Sequence, residues 1–277
     1  MAGNSAERIL GLGSTDFGVR RFGRVNWLGL WTLTEREMRR FLVVWTQTIL
    51  APLVTAGLFL AIFTLAIGPQ RGEVMGVPFA AFLAPGLMMM TVIQNAFANT
   101  SSSLMISKVQ GNIVDTLMPP LSPAELVTGY LAGGVARGIV VAVSIVVGMI
   151  LVLNVTVAHP LWMLVFVILG SAFMGALGLI AAIVAVKFDH MAAITNFIVM
   201  PLAFLSGTFY SADALPGAMN QLIHLNPIFY FIDGARYGVI GVSDTSPWIG
   251  LVFGLVSTLG VVWISWALFR SGYRLKA

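Results

Sequence analysis

The charged residues of this 277-residue chain are few and clustered, and the gaps between them are long enough to cross a bilayer. Residues 41–70, 74–107, 138–186, 190–212 and 245–269 contain no Lys, Arg, Asp or Glu. A helical span takes about 20 mostly apolar residues. The 138–186 gap holds 49 residues, enough for two spans joined by a turn over residues 154–160, where Asn154, His159 and Pro160 punctuate the run. Six spans are expected, near 42–67, 78–100, 130–153, 161–186, 190–210 and 248–269. Strict alternation of apolar and polar residues is absent, which argues against a membrane β-barrel. With 58% apolar and 9% charged residues, the chain cannot cover the surface of a soluble fold.

Basic residues set the expected orientation. Seven Arg fall in the first 41 residues, and Arg270, Arg274 and Lys276 lie in the tail. Lys108 and Lys187 follow spans two and four, whereas the opposite loops hold only Arg71 and Arg236. Both termini are therefore expected in the cytoplasm, in agreement with an even number of spans. The net charge of +4 reads as topology and contact with anionic lipid headgroups. It does not read as nucleic-acid binding, because the bases are dispersed and no nucleic-acid module accompanies them. Residues 1–26 read as a flexible cytoplasmic leader without a signal peptide, residues 27–270 as one membrane domain, and residues 271–277 as a cytoplasmic tail.

Three segments are not simple spans. Residues 27–41 form an amphipathic helix candidate with Trp27, Leu30, Trp31, Met38 and Phe41 near one face. Trp with Arg suits a helix lying in the headgroup layer; the alternative is a plain extension of span one. Residues 104–118 carry a short apolar stripe interrupted by Gly111, after which Pro119, Pro120 and Pro123 forbid a continuous helix. That shape suits docking on a partner, and the alternative is a connector. Residues 206–247 are broken by Gly207, Pro216, Gly217, Pro227 and Gly234 and carry Asp213, Asp233, Arg236 and Asp244. They read as two short helices, near 215–224 and 228–240, dipping into the outer half of the bilayer, or else as a folded loop lying on it. Arg137 follows an apolar stretch and is expected near the cytoplasmic interface rather than buried at mid-membrane.

Catalytic chemistry is not evident. His159, His190 and His224 are dispersed, with no metal-binding spacing. Ser206-Gly207 lacks a nucleophile-elbow pattern. No lysine follows a glycine, so there is no P-loop. The expected spans also lack Asp, Glu and Lys, the groups that bind coupling ions in many carriers. A pump built this way takes its energy from a cytoplasmic partner. A membrane scaffold that docks a partner without transport is the other reading that stays open.

Four local motifs, in order between the spans, resemble the ABC-2 type permease family. They are Phe82-Leu83-Ala84-Pro85-Gly86-Leu87, Pro119-Pro120-Leu121-Ser122-Pro123-Ala124-Glu125-Leu126, Phe204-Leu205-Ser206-Gly207-Thr208-Phe209-Tyr210 followed by Leu215-Pro216, and Leu225-Asn226-Pro227-Ile228 through Asp233-Gly234-Ala235-Arg236. The resemblance implies an all-α, six-helix exporter fold (type V-like) in a bacterial inner membrane. It implies an interfacial helix over 27–41, a coupling helix over 104–118 and re-entrant helices over 212–240, with Pro216, Asn226, Pro227 and Arg236 in the re-entrant signature. It implies a second copy of the chain and two separate ABC ATPase subunits as partners. ATP and Mg would reside on those subunits, and this chain would bind no cofactor. Lys108, Ile113, Val114, Asp115 and Leu117 are the expected ATPase contacts, with Pro119 and Pro120 stiffening the lever. Spans one, two and five are expected to line the pathway. Phe59, Phe63, Met88, Met89, Met90 and Phe97 are candidates to form its greasy wall, since Met surfaces repack easily, or else simply to pack. The expected cargo is amphipathic or lipid-linked.

Overall fold

The computed structural model describes residues 25–275. The expected leader up to residue 24, with Arg8, Arg20, Arg21 and Arg24, lies outside the described residues, as does Lys276 of the tail.

Among the described residues five helices are long and apolar enough to cross a membrane: α2 (Thr46–Ala66), α4 (Phe79–Val109), α6 (Pro123–Leu153), α7 (Pro160–Val184) and α11 (Pro247–Ser271). A sixth apolar helix, α8 (Phe188–Phe204), has 17 residues and contains a π-helical turn over Thr195–Val199. The remaining helices are α1 (Trp27–Val43), α3 (Gly68–Arg71), α5 (Ile113–Leu117), α9 (Gly217–Ile223) and α10 (Pro227–Ile240). Between α3 and α4 a minimal hairpin pairs Glu73–Val74 with Val77–Pro78. Its turn residues Met75 and Gly76 both have positive φ, the conformation a two-residue hairpin turn requires.

A helix overlaps each expected span, the fifth being the 17-residue α8, and α4 and α6 run beyond the expected 78–100 and 130–153. Each has 31 residues, or about 46 Å at 1.5 Å per residue, well beyond a hydrocarbon core of roughly 30 Å. The surplus lies at one end of the bundle. There the Asn26 amide donates to Glu125 Oε1 at 2.6 Å, Lys108 reaches the end of α7, and Arg274 donates to the Val184 carbonyl at 2.9 Å. This is the proximal end, where both described chain ends meet. Ser122 and Glu125 start α6 with reciprocal capping hydrogen bonds, and Pro123 sits in the first turn, where its missing N–H costs nothing.

The helices pack through small residues. Gly170, Gly175 and Gly178 of α7 admit Met89, Thr100 and Phe97 of α4, and Gly129 and Gly133 of α6 admit Leu33 and Glu37 of α1. Close backbone approach of this kind drives association where lipid offers no hydrophobic contrast. Thr100 Oγ1 donates across the α4–α7 seam to the Gly175 carbonyl at 2.7 Å.

Two expectations change. Residues 104–109 are the last turns of α4, and Gly111, at φ 77°, ends the run, so the separate helix is only Ile113–Leu117 rather than 104–118. In α1 the bundle-facing residues are Leu33, Glu37 and Phe41, while Trp27 and Trp31 are 72% and 64% exposed. Phe41 is therefore enclosed by the bundle while the tryptophans are not, so the expected apolar face is divided.

A Cβ at Gly178 would lie 2.6 Å from the Phe97 carbonyl oxygen, which is held by its own helix, whereas Gly260 has nothing within 4 Å. Gly178→Leu is expected to destabilise the α4–α7 seam by about 1–3 kcal/mol or more, and Gly260→Leu to be silent. Monodispersity and thermal melting of the two variants in detergent would check this, and equal behaviour would refute the seam.

Candidate functional site: a polar path along α4

The distal end is held by a buried ion cluster. Arg236, on α10, is fully buried. Its guanidinium lies 3.6 Å from Asp233 and 3.4 Å from Asp244, donates to the Gly207 carbonyl at 2.6 Å, and stacks 4.1 Å from the Phe82 ring centroid. Asp233 accepts from the Asp244 and Thr245 amides and from Thr245 Oγ1. Asp244 accepts from the Ala212 amide and from Ser211 Oγ. Burial pushes the Asp233 carboxyl above its ordinary value, against the pull of Arg236. The same burial lowers the Arg236 guanidinium, against the pull of both carboxylates.

Three of the four family-like motifs converge here. Gly86 lets the Thr208 backbone rest on α4, since a Cβ would come within 2.6 Å of the Thr208 oxygen. Asn226 starts α10 by accepting from the Ile228 amide and ties back to Ser206 Oγ at 2.7 Å. Pro227 occupies the first turn of α10. Pro216 precedes α9 and is exposed, away from the cluster.

The proximal end holds a second network, centred on Glu37, which no motif or charge gap in the sequence singles out. Glu37 is fully buried. It accepts from Ser103 Oγ at 2.7 Å and pairs with Arg36 at 3.1 Å and Arg40 at 3.3 Å. Arg36 also donates to Tyr130 and to Thr116 of α5. Burial alone would lower the Arg36 guanidinium, but the Tyr130 and Glu37 oxygens outweigh it and hold it above its ordinary range. Arg40 reaches Ser102 and Asn99 on α4. A continuous polar chain thus runs from α5 through α1 to α4. The signal in the sequence was spacing, because Leu33, Glu37 and Phe41 stand four apart on one helix face.

The expected ATPase contacts divide. Val114 and Asp115 are exposed, as are Pro119 and Pro120, and the neighbouring Met118 is 75% exposed. Ile113 is 3% exposed and packs in the main core, with Leu117 partly buried against it. Lys108 is engaged elsewhere: its ammonium donates to the carbonyls of Ala182, Ile183 and Ala185, each at 2.8 Å, and so caps the C-terminus of α7. Ile113 and Lys108 thus brace from within the segment that exposes Val114 and Asp115.

The expected greasy wall also divides. Met88 and Met89 are fully buried and Met90 nearly so, all in the core. Phe59 and Phe63 pack with Phe209 in a satellite cluster under Phe79. Of the six, Phe97 alone lines a cavity of about 390 Å³ between α4 and α8. The cavity wall includes Gln94, Asn95, Ser101, Ser102 and Thr195 alongside Met105, Met191 and Phe188. Arg137 of α6 is half-buried and donates to Asn95 Oδ1 at 2.7 Å. Its guanidinium turns toward α4.

A multi-pass helical bundle with a clasp at one end, a short exposed helix at the other and a cavity between is the build of a transport permease subunit. The family model for the ABC-2 type transporter matches residues 29–240. The chain belongs to this family. It is 34% identical over 259 residues to the inner membrane transport permease YadH of Escherichia coli (strain K12), covering 91% of this chain and 98% of the relative. It is 26% identical over 226 residues to nodulation protein J of Rhizobium leguminosarum bv. viciae, covering 79% and 84%. The nodulation protein J of Rhizobium meliloti (strain 1021) is 25% identical over 258 residues, covering 88% and 93%.

Arg236→Gln removes the one cation between two buried carboxylates, and breaking such a pair costs about 3–5 kcal/mol. Asp244→Asn leaves Arg236 balanced by Asp233 and is expected to cost clearly less. Thermal melting of the two variants in detergent tests the order, and a more stable Arg236→Gln variant would overturn it.

Proposed function

We propose that this chain is the membrane half of an ATP-driven exporter, acting as a homodimer with two separate ABC ATPase subunits. The relative from Escherichia coli is described as an inner membrane transport permease, and the same location is proposed here, with the proximal end in the cytoplasm. α8 is then the sixth span, running from the Lys108 cap region to the Ser206–Asn226 contact, and α9 and α10 are the re-entrant pair. The cargo is amphipathic, a lipid, a lipid-linked glycan or a drug-like molecule, and it moves out of the cytoplasm or the inner leaflet.

The observation that carries the reading is the α5 platform. Val114 is 52% exposed and Met118 75% exposed at the proximal end, with Asp115 beside them. Apolar anchors with a polar rim are the makeup of a protein contact. Thr116, on the opposite face, bonds Arg36 and so connects the platform to the chain that ends at α4. A partner that closes on ATP can bias the bundle only by binding its two states unequally, and this chain gives the bias a route. Beyond Glu125 and Asp189 in the first turns of α6 and α8, the spans carry no carboxylate for a coupling ion, in keeping with fuel from outside.

The double variant Val114→Asp/Met118→Asp buries charge at the contact while leaving Ile113 and the core untouched. Truncation of a central anchor typically costs at least about 2 kcal/mol of binding, so ATPase co-purification is expected to fall at least tenfold with the permease still monodisperse. Full recovery of a stimulated ATPase complex from that variant would sink the docking assignment.

A further inference from the structure

α2 is the least enclosed of the long helices, 6% buried against 72% for α4. Phe59 and Phe63 tie its distal half to Phe209. Even so, α2 does not close on the bundle: a cavity of about 470 Å³ separates it from α4 and α6. Small residues keep this wedge open. Ala56, Gly57 and Ala61 of α2 line it together with Ala84 of α4 and Gly148 of α6. A Cβ at Gly57 would have nothing within 4 Å. Leu65 and Val152, 78% and 75% exposed, border the same space, so it opens at the side of the bundle, where lipid is. Interiors are otherwise close-packed, and no side chain of the described residues fills this gap.

The length of the wedge is that of one lipid tail. Its lining on α6 ends at Leu153, the last residue of that helix, and on α2 it reaches Thr64 and Leu65, next to the helix end at Ala66. One end therefore lies at the distal boundary of the membrane. The other lies at Leu53, eleven residues before Thr64, or about 16 Å at 1.5 Å per residue. That is about half of a hydrocarbon core of roughly 30 Å, the depth of a single leaflet. No charged residue lines the wedge, so its occupant is apolar along its length.

One polar atom breaks the apolar lining. Thr64 Oγ1 is buried with no hydrogen-bond partner. Other hydroxyls of the spans donate to the carbonyl four residues back, as Thr91, Ser144 and Thr258 do at 2.7–2.8 Å. A buried donor without an acceptor is costly. Thr64 holds its donor at the depth where the ester groups of a distal-leaflet lipid begin, and an ester carbonyl is the acceptor it lacks.

We infer that the wedge between α2, α4 and α6 holds a resident glycerolipid of the distal leaflet, one tail filling the slot down to Leu53 and its ester carbonyl accepting from Thr64 Oγ1. The lipid is part of the fold and not cargo: it completes the packing that α2 lacks and clamps that helix to α4 and α6. Neither an ATPase nor transport enters the argument, so the site stands or falls apart from the proposed function.

The test uses the full chain, delipidated in detergent, and counts bound lipid by native mass spectrometry on the monomer and dimer peaks separately. The probes are phosphatidylethanolamine with ester-linked tails and its ether-linked analogue of the same chain length. The wild-type chain is expected to bind one ester lipid per chain in both peaks, about fivefold more tightly than the ether lipid, the size of one net hydrogen bond. Thr64→Val should bind the two equally. Gly57→Leu places a side chain in the open slot, so it should weaken both lipids at least tenfold while the chain stays folded, and its melting temperature should no longer rise with added lipid. Wild-type retention by Gly57→Leu, or equal binding of the two lipids by the wild-type chain, would overturn the site. A slot occupied in the monomer but bare in the dimer would assign it to the second copy and would overturn it as well.

Discussion

The least apolar of the long helices is also the most enclosed, and the arrangement of the other helices is a consequence. α4 has a mean hydropathy of 1.4 with 72% of its core window buried, whereas α2, at 2.3, is 6% buried. Lipid cannot satisfy the Asn, Gln, Ser and Thr groups of residues 94–103, so other helices must. α7 covers one face through its glycines, α6 another through Gly134 and Gly138, and α10 the distal third. The apolar helices α2 and α11 are left outside, where their side chains meet a solvent of their own kind. In water the order would be reversed.

α4 is thereby the member that touches both polar networks. Phe82 and Gly86 contact the distal clasp, and Asn99, Ser102 and Ser103 contact the proximal one. Pro85 lies inside the helix, within the distal region between Phe82 and Gly86. It removes one backbone hydrogen bond and makes the distal turn the compliant one. The proximal two thirds, packed through Thr100 and the α7 glycines, is the stiff part. A displacement at α1 reaches the cavity wall through two arginine contacts, without any intervening loop.

The spans were legible because charge is excluded from hydrocarbon, and the sequence displays that exclusion directly in residues 41–70 or 245–269. The helices at Gly217–Ile223 and Pro227–Ile240 were legible from their prolines and glycines. The supports were not. Glu37 sits among Glu35, Arg36, Arg39 and Arg40, and in such a run a reader assigns every charge to water, although Gly133 opens a slot for it alone. Lys108 looks like a rim charge until α7 is seen to end beneath it. Ile113 and Val114 are neighbours of the same character, and in a five-residue helix only the tertiary contact decides which is buried. The family motifs pointed to function without saying why. Their reason is convergence on Arg236, which no linear spacing reveals.

The two ends also differ in sign, and the difference bears on orientation. The distal cluster sets Arg236 against Asp233 and Asp244, an excess of one negative charge. The proximal cluster sets Arg36, Arg40 and Arg137 against Glu37, an excess of two positive charges. Replacing either cluster by apolar residues would avoid the desolvation cost of burying ions. What an ion cluster adds is register, because Arg236 fits only one placement of the Gly207 carbonyl and the Asp244 loop. It adds a sense of direction as well. Positive residues favour the cytoplasmic face during insertion, and one of them, Arg36, also bonds Thr116 of α5. Under the proposed function, topology and coupling would then share that arginine.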